Sequence, residues 1–272
     1  MTDQPTLALN DGRQIPQLGF GTWEIEAQDA KDAVSTALDA GYWLVDTAAI
    51  YKNEKEVGEG IGDWSDIFLQ TKIWNESQGY DRTLKAADKC LERLGREHVD
   101  MLLIHWPCPD NGLFVDTWKA LIELRDQGKA KSIGVSNFRE QDLKKIVDET
   151  GVVPALNQIE LHRSFQQREM RKLHDKMGIV TQSWSPLGRG NAFGNATIEA
   201  IAEETGQPAP AVVIRWHIQC GLSTLPRSTN PDHIRSNFQA LDFELTDDQM
   251  KRIDDLDTDD GRMGPEPGEF NS

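Results

Sequence analysis

The chain has 272 residues, with 45 Asp and Glu against 29 Lys and Arg, for a formal net charge of −16. At 38% hydrophobic and 27% charged residues it can bury a core and lies outside disordered compositions, while the acidic balance argues against nucleic acid and anionic membranes as partners. No stretch approaches the ~20 apolar residues of a membrane span, no secretory signal opens the chain, and Cys90, Cys108 and Cys220 lack paired spacing, which points to free thiols in a cytoplasmic protein without a structural metal.

In chain order, Thr6–Leu9 and Arg13–Ile15 flank Asn10-Asp11-Gly12, a hairpin signal. Eight short apolar runs follow: Gln17–Gly21, Tyr42–Thr47, Ile67–Ile73, Val99–Trp106, Lys131–Val135, Leu156–Glu160, Ile179–Trp184 and Leu222–Pro226. Most are apolar on both faces, as strands covered on both sides are. Helical patterns separate them at Ala27–Ala40, Asn53–Ile61, Asp81–Leu94, Val115–Gln127, Gln141–Thr150 and Gln166–Met177, and most of these end at a glycine. Two further helices exceed the repeat: Ala196–Thr205 precedes Ala209–Gln219, and Asp247–Leu256 follows Asp232–Gln239.

Eight strand–helix units leave an open doubly wound sheet or a closed (β/α)8 barrel. No G-x-G-x-x-G follows a strand: Gly58-Glu-Gly60-Ile-Gly62 and Gly188-Arg-Gly190 lack the spacing, and there is no P-loop. The expected fold is therefore a single-domain α/β TIM barrel over residues 1–272, with an N-terminal β-hairpin, two extra helices and a looped tail.

Function in such barrels gathers at the carboxyl ends of the strands. Those ends read Asp46, Lys72, His105, Ser136-Asn137, Gln158, Trp184 and Arg227-Ser228, with Tyr51 five residues beyond Asp46. Asp46 and Lys72 both follow apolar residues, where a lone charge is costly, so each is expected to face the other. Such a pair can simply fix the fold. With Tyr51 and His105 beside it, the same set suits proton donation to a developing alkoxide. A phenol of ordinary pKa ~10 is a poor acid near neutrality, and an adjacent ammonium is expected to lower it. Trp23, Trp74, Trp106 and Trp184 stand at or just past strand ends, as walls for a small ligand.

These residues lie in stretches that resemble the aldo-keto reductases: Gly19-Phe-Gly-Thr-Trp23, Tyr42-Trp-Leu-Val-Asp-Thr-Ala48, Tyr51-Lys-Asn-Glu54, Gln70-Thr-Lys-Ile-Trp74, Asp100-Met-Leu-Leu-Ile-His-Trp-Pro107, Ile133-Gly-Val-Ser-Asn-Phe138, Pro154-Ala-Leu-Asn-Gln-Ile-Glu-Leu-His162, Trp184-Ser-Pro-Leu-Gly188 and Leu225-Pro-Arg-Ser228. They cover essentially the whole chain, and the set is similar to the prokaryotic 2,5-diketo-D-gluconic acid reductase group. The resemblance implies NAD(P)H-dependent reduction of a small aldehyde or ketone by a monomer. It implies a tetrad of Asp46, Tyr51, Lys72 and His105, with Tyr51 as general acid. Ser136, Asn137 and Gln158 take the nicotinamide-carboxamide positions, Trp184 the stacking position, and Leu187 and Gly188 the pyrophosphate lining. Arg227, Ser228, His233 and Asn237 take the phosphate and adenine positions. Trp23, Trp74 and Trp106 take the substrate pocket, with Phe270 or a neighbour closing its top.

The chain departs from the family pattern at Arg227, commonly Lys, at His233, commonly Arg, at Ser236, commonly Glu or Gln, and at Arg163, commonly Pro. Loss of a permanent charge at His233 implies NADPH use with appreciable NADH tolerance. Arg227 and Arg235 are expected to offset the acidic background, much of which falls between Asp242 and Asp260 on the last helix. The segment from Gly188 to Ala196 is too short for a long belt over the cofactor. Two other readings stay open from the residues alone, a Schiff-base lyase using Lys72 and a cofactor-sensing regulatory binding protein.

Overall fold

A computed structural model describes residues 4–190 and 194–271. Strands β1 (Thr6–Ala8) and β2 (Gln14–Pro16) pair antiparallel across the turn at Gly12, whose φ of 88° suits glycine. This hairpin floors the barrel. Asn10 Nδ2 donates to the Pro154 carbonyl (3.0 Å) and Ser132 Oγ to the Asp11 carboxylate (2.6 Å).

The repeat then runs β3 (Phe20–Gly21), α1 (Ala27–Ala40), β4 (Leu44–Asp46), α2 (Glu54–Ile61), β5 (Phe68–Ile73), α3 (Tyr80–Leu94), β6 (Val99–Ile104), α4 (Phe114–Asp126), β7 (Ala130–Ser136), α5 (Glu140–Thr150), β8 (Leu156–Glu160), α6 (Arg168–Met177) and β9 (Val180–Trp184). It ends with α7 (Ala196–Thr205), α8 (Ala209–Gln219), β10 (Ser223–Thr224), α9 (Pro231–Phe238) and α10 (Asp247–Asp254). Strands β3 to β10 form one parallel sheet in sequence order. The seam closes it: Gly19 N–H donates to the Thr224 carbonyl (2.9 Å), Thr224 N–H to Gln17 (2.7 Å) and Gly21 N–H to Pro226 (3.0 Å). Both extra helices, the hairpin and the barrel expected from the sequence are present.

The first and last barrel strands are shorter than the apolar runs suggest, two residues each. Pro16 and Pro226 flank the seam and have no N–H to extend a ladder, so pairing there continues as isolated bonds.

Helices pack on the outer face through residues such as Val34, Ala37, Trp118 and Leu121, against sheet residues such as Leu102, all at most 2% exposed. Inside the barrel, alternate residues of each strand point to the axis. Near the hairpin these are Leu44, Phe68, Met101, Leu103, Leu156 and Leu225, which form one apolar layer. Two residues further along the same strands stand Asp46, Gln70, His105 and Gln158, all buried. The interior thus turns from apolar to polar towards the carboxyl ends. Gly134 lets two strands of this wall approach, since a Cβ there would lie 2.6 Å from the Leu156 carbonyl oxygen.

Two buried histidines tie helices to the sheet. His174 contacts Asn157 and Thr181, and His217 contacts Ser183 and the Pro186 carbonyl. Burial pulls His174 down to about 4 and, as the largest influence, His217 down to about 3, from 6.5. Between those values and 6.5 the unfolded chain binds protons that the folded chain refuses, so stability falls as pH falls through this window. Moving from about pH 7 to about pH 5 should cost about 2 kcal/mol for each histidine by urea unfolding. That loss should shrink in His174→Gln, and an identical loss in the variant would contradict the assignment.

Candidate active site

Asp46 ends β4 and Lys72 lies near the end of β5, and the parallel register sets Asp46 beside Gln70. The Lys72 side chain rises from there, fully buried, and its Nζ lies 2.7 Å from both carboxylate oxygens of Asp46. It also donates to the Thr47 carbonyl (2.9 Å) and to the Tyr51 hydroxyl (3.3 Å). Tyr51 closes a short 3-10 turn, Ala49–Tyr51, that carries its ring over the ammonium, 5.0 Å from ring centroid to Nζ. Lys72 is therefore held by one carboxylate and one carbonyl, with the phenol as its outward partner.

Beneath the pair lies a layer of amides. Gln70 and Gln158 each donate to Asp46 Oδ1 (2.6 and 3.1 Å), and both also donate to Gln182 Oε1 (2.7 Å each). Gln182 donates in turn to Ser223 Oγ, and Ser223 to the Pro16 carbonyl. Gln70 and Gln182 join the site without being singled out by the strand-end pattern. The alternation that puts Asp46 and Gln158 inward also puts these two inward, and polar residues in otherwise apolar runs were the available signal.

His105 follows β6 and stands edge-on to Tyr51 (5.8 Å between centroids) and to Trp74 (5.1 Å). Burial first, and then the Lys72 charge, hold its pKa well below the ordinary imidazole value, so the ring is neutral. Its Nδ1 is buried with no partner among the described residues. A buried N–H without an acceptor is rarer than a buried lone pair, which favours the proton on Nε2.

Tyr51 corrects one expectation. Burial, then the Asp46 charge, raise the phenol well above its ordinary value. The ammonium does not lower it at rest because Asp46 answers that charge at 2.7 Å. Burial likewise pulls Lys72 below the usual lysine value, against the opposing pull of Asp46.

A cavity of about 870 Å³ opens above this group. Asp46, Tyr51, His105, Ser136, Asn137, Gln158, Trp184, Leu187, Arg227, Ser228, His233 and Asn237 line it, as do Trp23, Trp74 and Trp106. Lys72 sits behind the wall, below Asp46 and Tyr51. Gly188 is buried and, unlike Leu187, is not among the residues that line the cavity. Arg235 is also absent from the lining. It turns towards Asp232 (3.7 Å), and Arg189 takes its place as the second guanidinium at the outer end. The start of the 188–196 segment is seen only to Gly190, and residues 191–193 lie outside the described residues.

Asn137 adopts a left-handed φ of 62° and donates to the His105 carbonyl and to Ser136 Oγ (3.0 Å each). Its Oδ1 accepts from the Trp184 indole (2.8 Å), which fixes that ring at the cavity wall. The tail secures the other side of Trp184. Buried Glu160 accepts from the Met263 and Gly264 amides (2.6 and 2.9 Å), and a Cβ on Gly264 would meet the indole at 2.6 Å. Further along, Phe270 packs on Trp106 (4.6 Å between centroids) and closes the top as expected.

The cavity is amide-rich and aromatic at its inner end and cationic at its outer end, and this donor set suits an elongated, anionic, heteroaromatic molecule. Gln158 Nε2 is spent on Asp46 and Gln182, so towards the cavity this side chain can serve only as an acceptor.

The profile of the aldo/keto reductase family matches residues 17–258. An aldo-keto reductase of Mycolicibacterium smegmatis is 50% identical, over 98% of each chain. The methylglyoxal reductase DkgA of Yersinia pestis is 41% identical, over 100% of this chain and 99% of its own. Among solved structures, a variant of Gox0644 in complex with NADPH superposes with a TM-score of 0.97 at 46% identity, over 98% of each chain.

The amide layer is testable on its own. Gln182→Leu removes the acceptor shared by Gln70 and Gln158 and leaves two buried N–H groups unpaired. It should lower unfolding stability by at least about 2 kcal/mol. A change within about 0.5 kcal/mol, the range of an ordinary surface substitution, would show that the layer is not structural.

Proposed function

The chain belongs to the aldo/keto reductase family, and from that premise we propose that it reduces aldehydes or ketones to alcohols with NADPH, Tyr51 being the proton donor. The observation that carries the reading is the single ammonium of Lys72 bonded to Asp46, to the Thr47 carbonyl and to the Tyr51 hydroxyl. NADPH, when bound, supplies the hydride. The residues that would hold it are Ser136, Asn137 and Gln158 at the carboxamide, Trp184 against the ring, Leu187 along the pyrophosphate, and Arg227, Ser228, His233 and Asn237 at the outer phosphate and adenosine.

The chain's own residues handle the oxygen. His105, neutral, donates from Nε2 to the carbonyl oxygen and orients it towards Tyr51. As negative charge grows on that oxygen, Tyr51 delivers its proton. The phenolate left behind lies against the Lys72 ammonium, now worth more as a partner because the site is dry. A raised phenol pKa at rest suits this order: the acid keeps its proton through the neutral range and releases it only when a stronger base forms beside it.

Trp23, Trp74, Trp106 and Phe270 exclude water and give the substrate apolar walls. Among the described residues, Arg227 and Arg189 are the Lys or Arg side chains that line the outer cavity, and a histidine stands at position 233, which supports appreciable NADH tolerance. The neighbour crystallised with NADPH supports the choice of nucleotide. The lyase reading is disfavoured by the placement of Lys72, whose Nζ is closed in by Asp46, Thr47 and Tyr51 and does not face the cavity.

Tyr51→Phe removes one oxygen and keeps the ring. It should cut kcat for an aromatic aldehyde by at least ~100-fold while NADPH still quenches tryptophan emission with near-unchanged affinity. Turnover equal to wild type would overturn the assignment.

A further inference from the structure

Residues Thr22 to Ile25 form a tight turn beyond β3, and its setting is rigid. Thr22 N–H and Oγ1 both donate to the Asp46 carbonyl (3.0 Å each), and fully buried Asn53 donates to the carbonyls of Thr22 and Ile25 (3.0 Å each). Asn53 accepts in turn from Thr47 Oγ1 (2.9 Å). Within this turn Glu24 has a left-handed φ of 55°, a conformation that costs a non-glycine residue and that collects at functional sites.

The strained residue points its carboxylate across the cavity mouth. Glu24 Oε2 lies 2.8 Å from the Arg227 guanidinium, and both residues line the cavity. Its neighbour Trp23 meets the second arginine of the lining, with the Arg189 guanidinium 4.8 Å from the ring centroid. Consecutive residues of one turn therefore engage both arginines of the outer cavity. In a chain of net charge −16, these guanidinium groups are, among the described lining residues, the permanent positive charge available there to an anionic ligand.

We propose that Glu24 is a specificity-determining residue that competes with the ribose phosphate of NADPH for Arg227 and so compresses the preference for NADPH over NADH. The inference rests on the cofactor reading above. A carboxylate and a phosphate make the same charge-assisted bonds to a guanidinium, so the phosphate must displace or share the Glu24 contact. NADH lacks that phosphate and meets no such competition. The pair is roughly half exposed on both sides, so the effect is modest and screened by salt.

The test is a titration of tryptophan fluorescence with NADPH and with NADH, on the full chain and on Glu24→Gln, which keeps the backbone strain and removes the charge. NADPH should bind the variant about two- to fivefold more tightly, with NADH changed less than about 1.5-fold. The gain should fade near 1 M salt, where the screening length is about 3 Å. It should also vanish when Arg227→Ala is added, since no contested cation then remains. An unchanged ratio of the two affinities in Glu24→Gln overturns the inference and leaves the cofactor reading standing. Failure of wild type to bind either nucleotide overturns the cofactor reading and the inference together.

Discussion

The polar interior at the carboxyl ends of the strands is arranged around a carboxylate and an ammonium 2.7 Å apart in a protein interior. Taking both charges out of water costs several kcal/mol for each ion, and their attraction repays this only when the remaining hydrogen-bonding capacity is satisfied. Here it is. Asp46 receives two amides as well as Lys72, and Lys72 gives its other bonds to the Thr47 carbonyl and the Tyr51 hydroxyl. The glutamine layer follows from this requirement, and so does the switch inside the barrel from leucine and methionine near the hairpin to amides near the mouth. An apolar barrel interior would have been simpler to stabilise. The polar one holds a cation directly under a phenol.

The same reasoning extends outward. His105 stays neutral because it is buried beside that cation. Tyr51 stays protonated because burial and the carboxylate outweigh the ammonium. Loops and tail then shape the space above. Asn137 and the Gly264 backbone hold Trp184 from two sides, Glu160 anchors the tail, and Phe270 closes on Trp106. The outer end follows a different rule, with the arginines answered by one short turn from β3 so that positive charge is present but contested.

Much of this was legible in the residues. Apolar runs punctuated by glycine marked eight strands, and α1, α7 and α8 begin and end where their patterns do. Asp46, Lys72 and His105 stood out because charged and polar groups interrupt buried runs, a costly event that has to be explained by a partner. Relations between distant residues were not legible. Nothing in the sequence links Glu24 to Arg227, or Gln182 to both Gln70 and Gln158, because those pairings depend on register and loop conformation. Arg235 lies near Ser228 along the chain but not in the cavity, because α9 turns it towards Asp232, and it is the more distant Arg189 that lines the outer end. The direction of the Tyr51 shift is not legible in the sequence for a related reason: it depends on burial and on the carboxylate beside the ammonium as well as on the ammonium itself.

On the function proposed above, the Asp46–Lys72 pair exists for chemistry and not for folding. The most direct measurement compares Asp46→Asn, Lys72→Met and the double variant in urea unfolding and in NADPH-linked aldehyde reduction. Each single change should lose about 3–5 kcal/mol, since it breaks a buried pair, while removing both charges should recover most of that loss. Turnover should stay lost in all three. A double variant that regained turnover along with stability, or one as unstable as the two single variants combined, would show that the pair does not serve chemistry in this way.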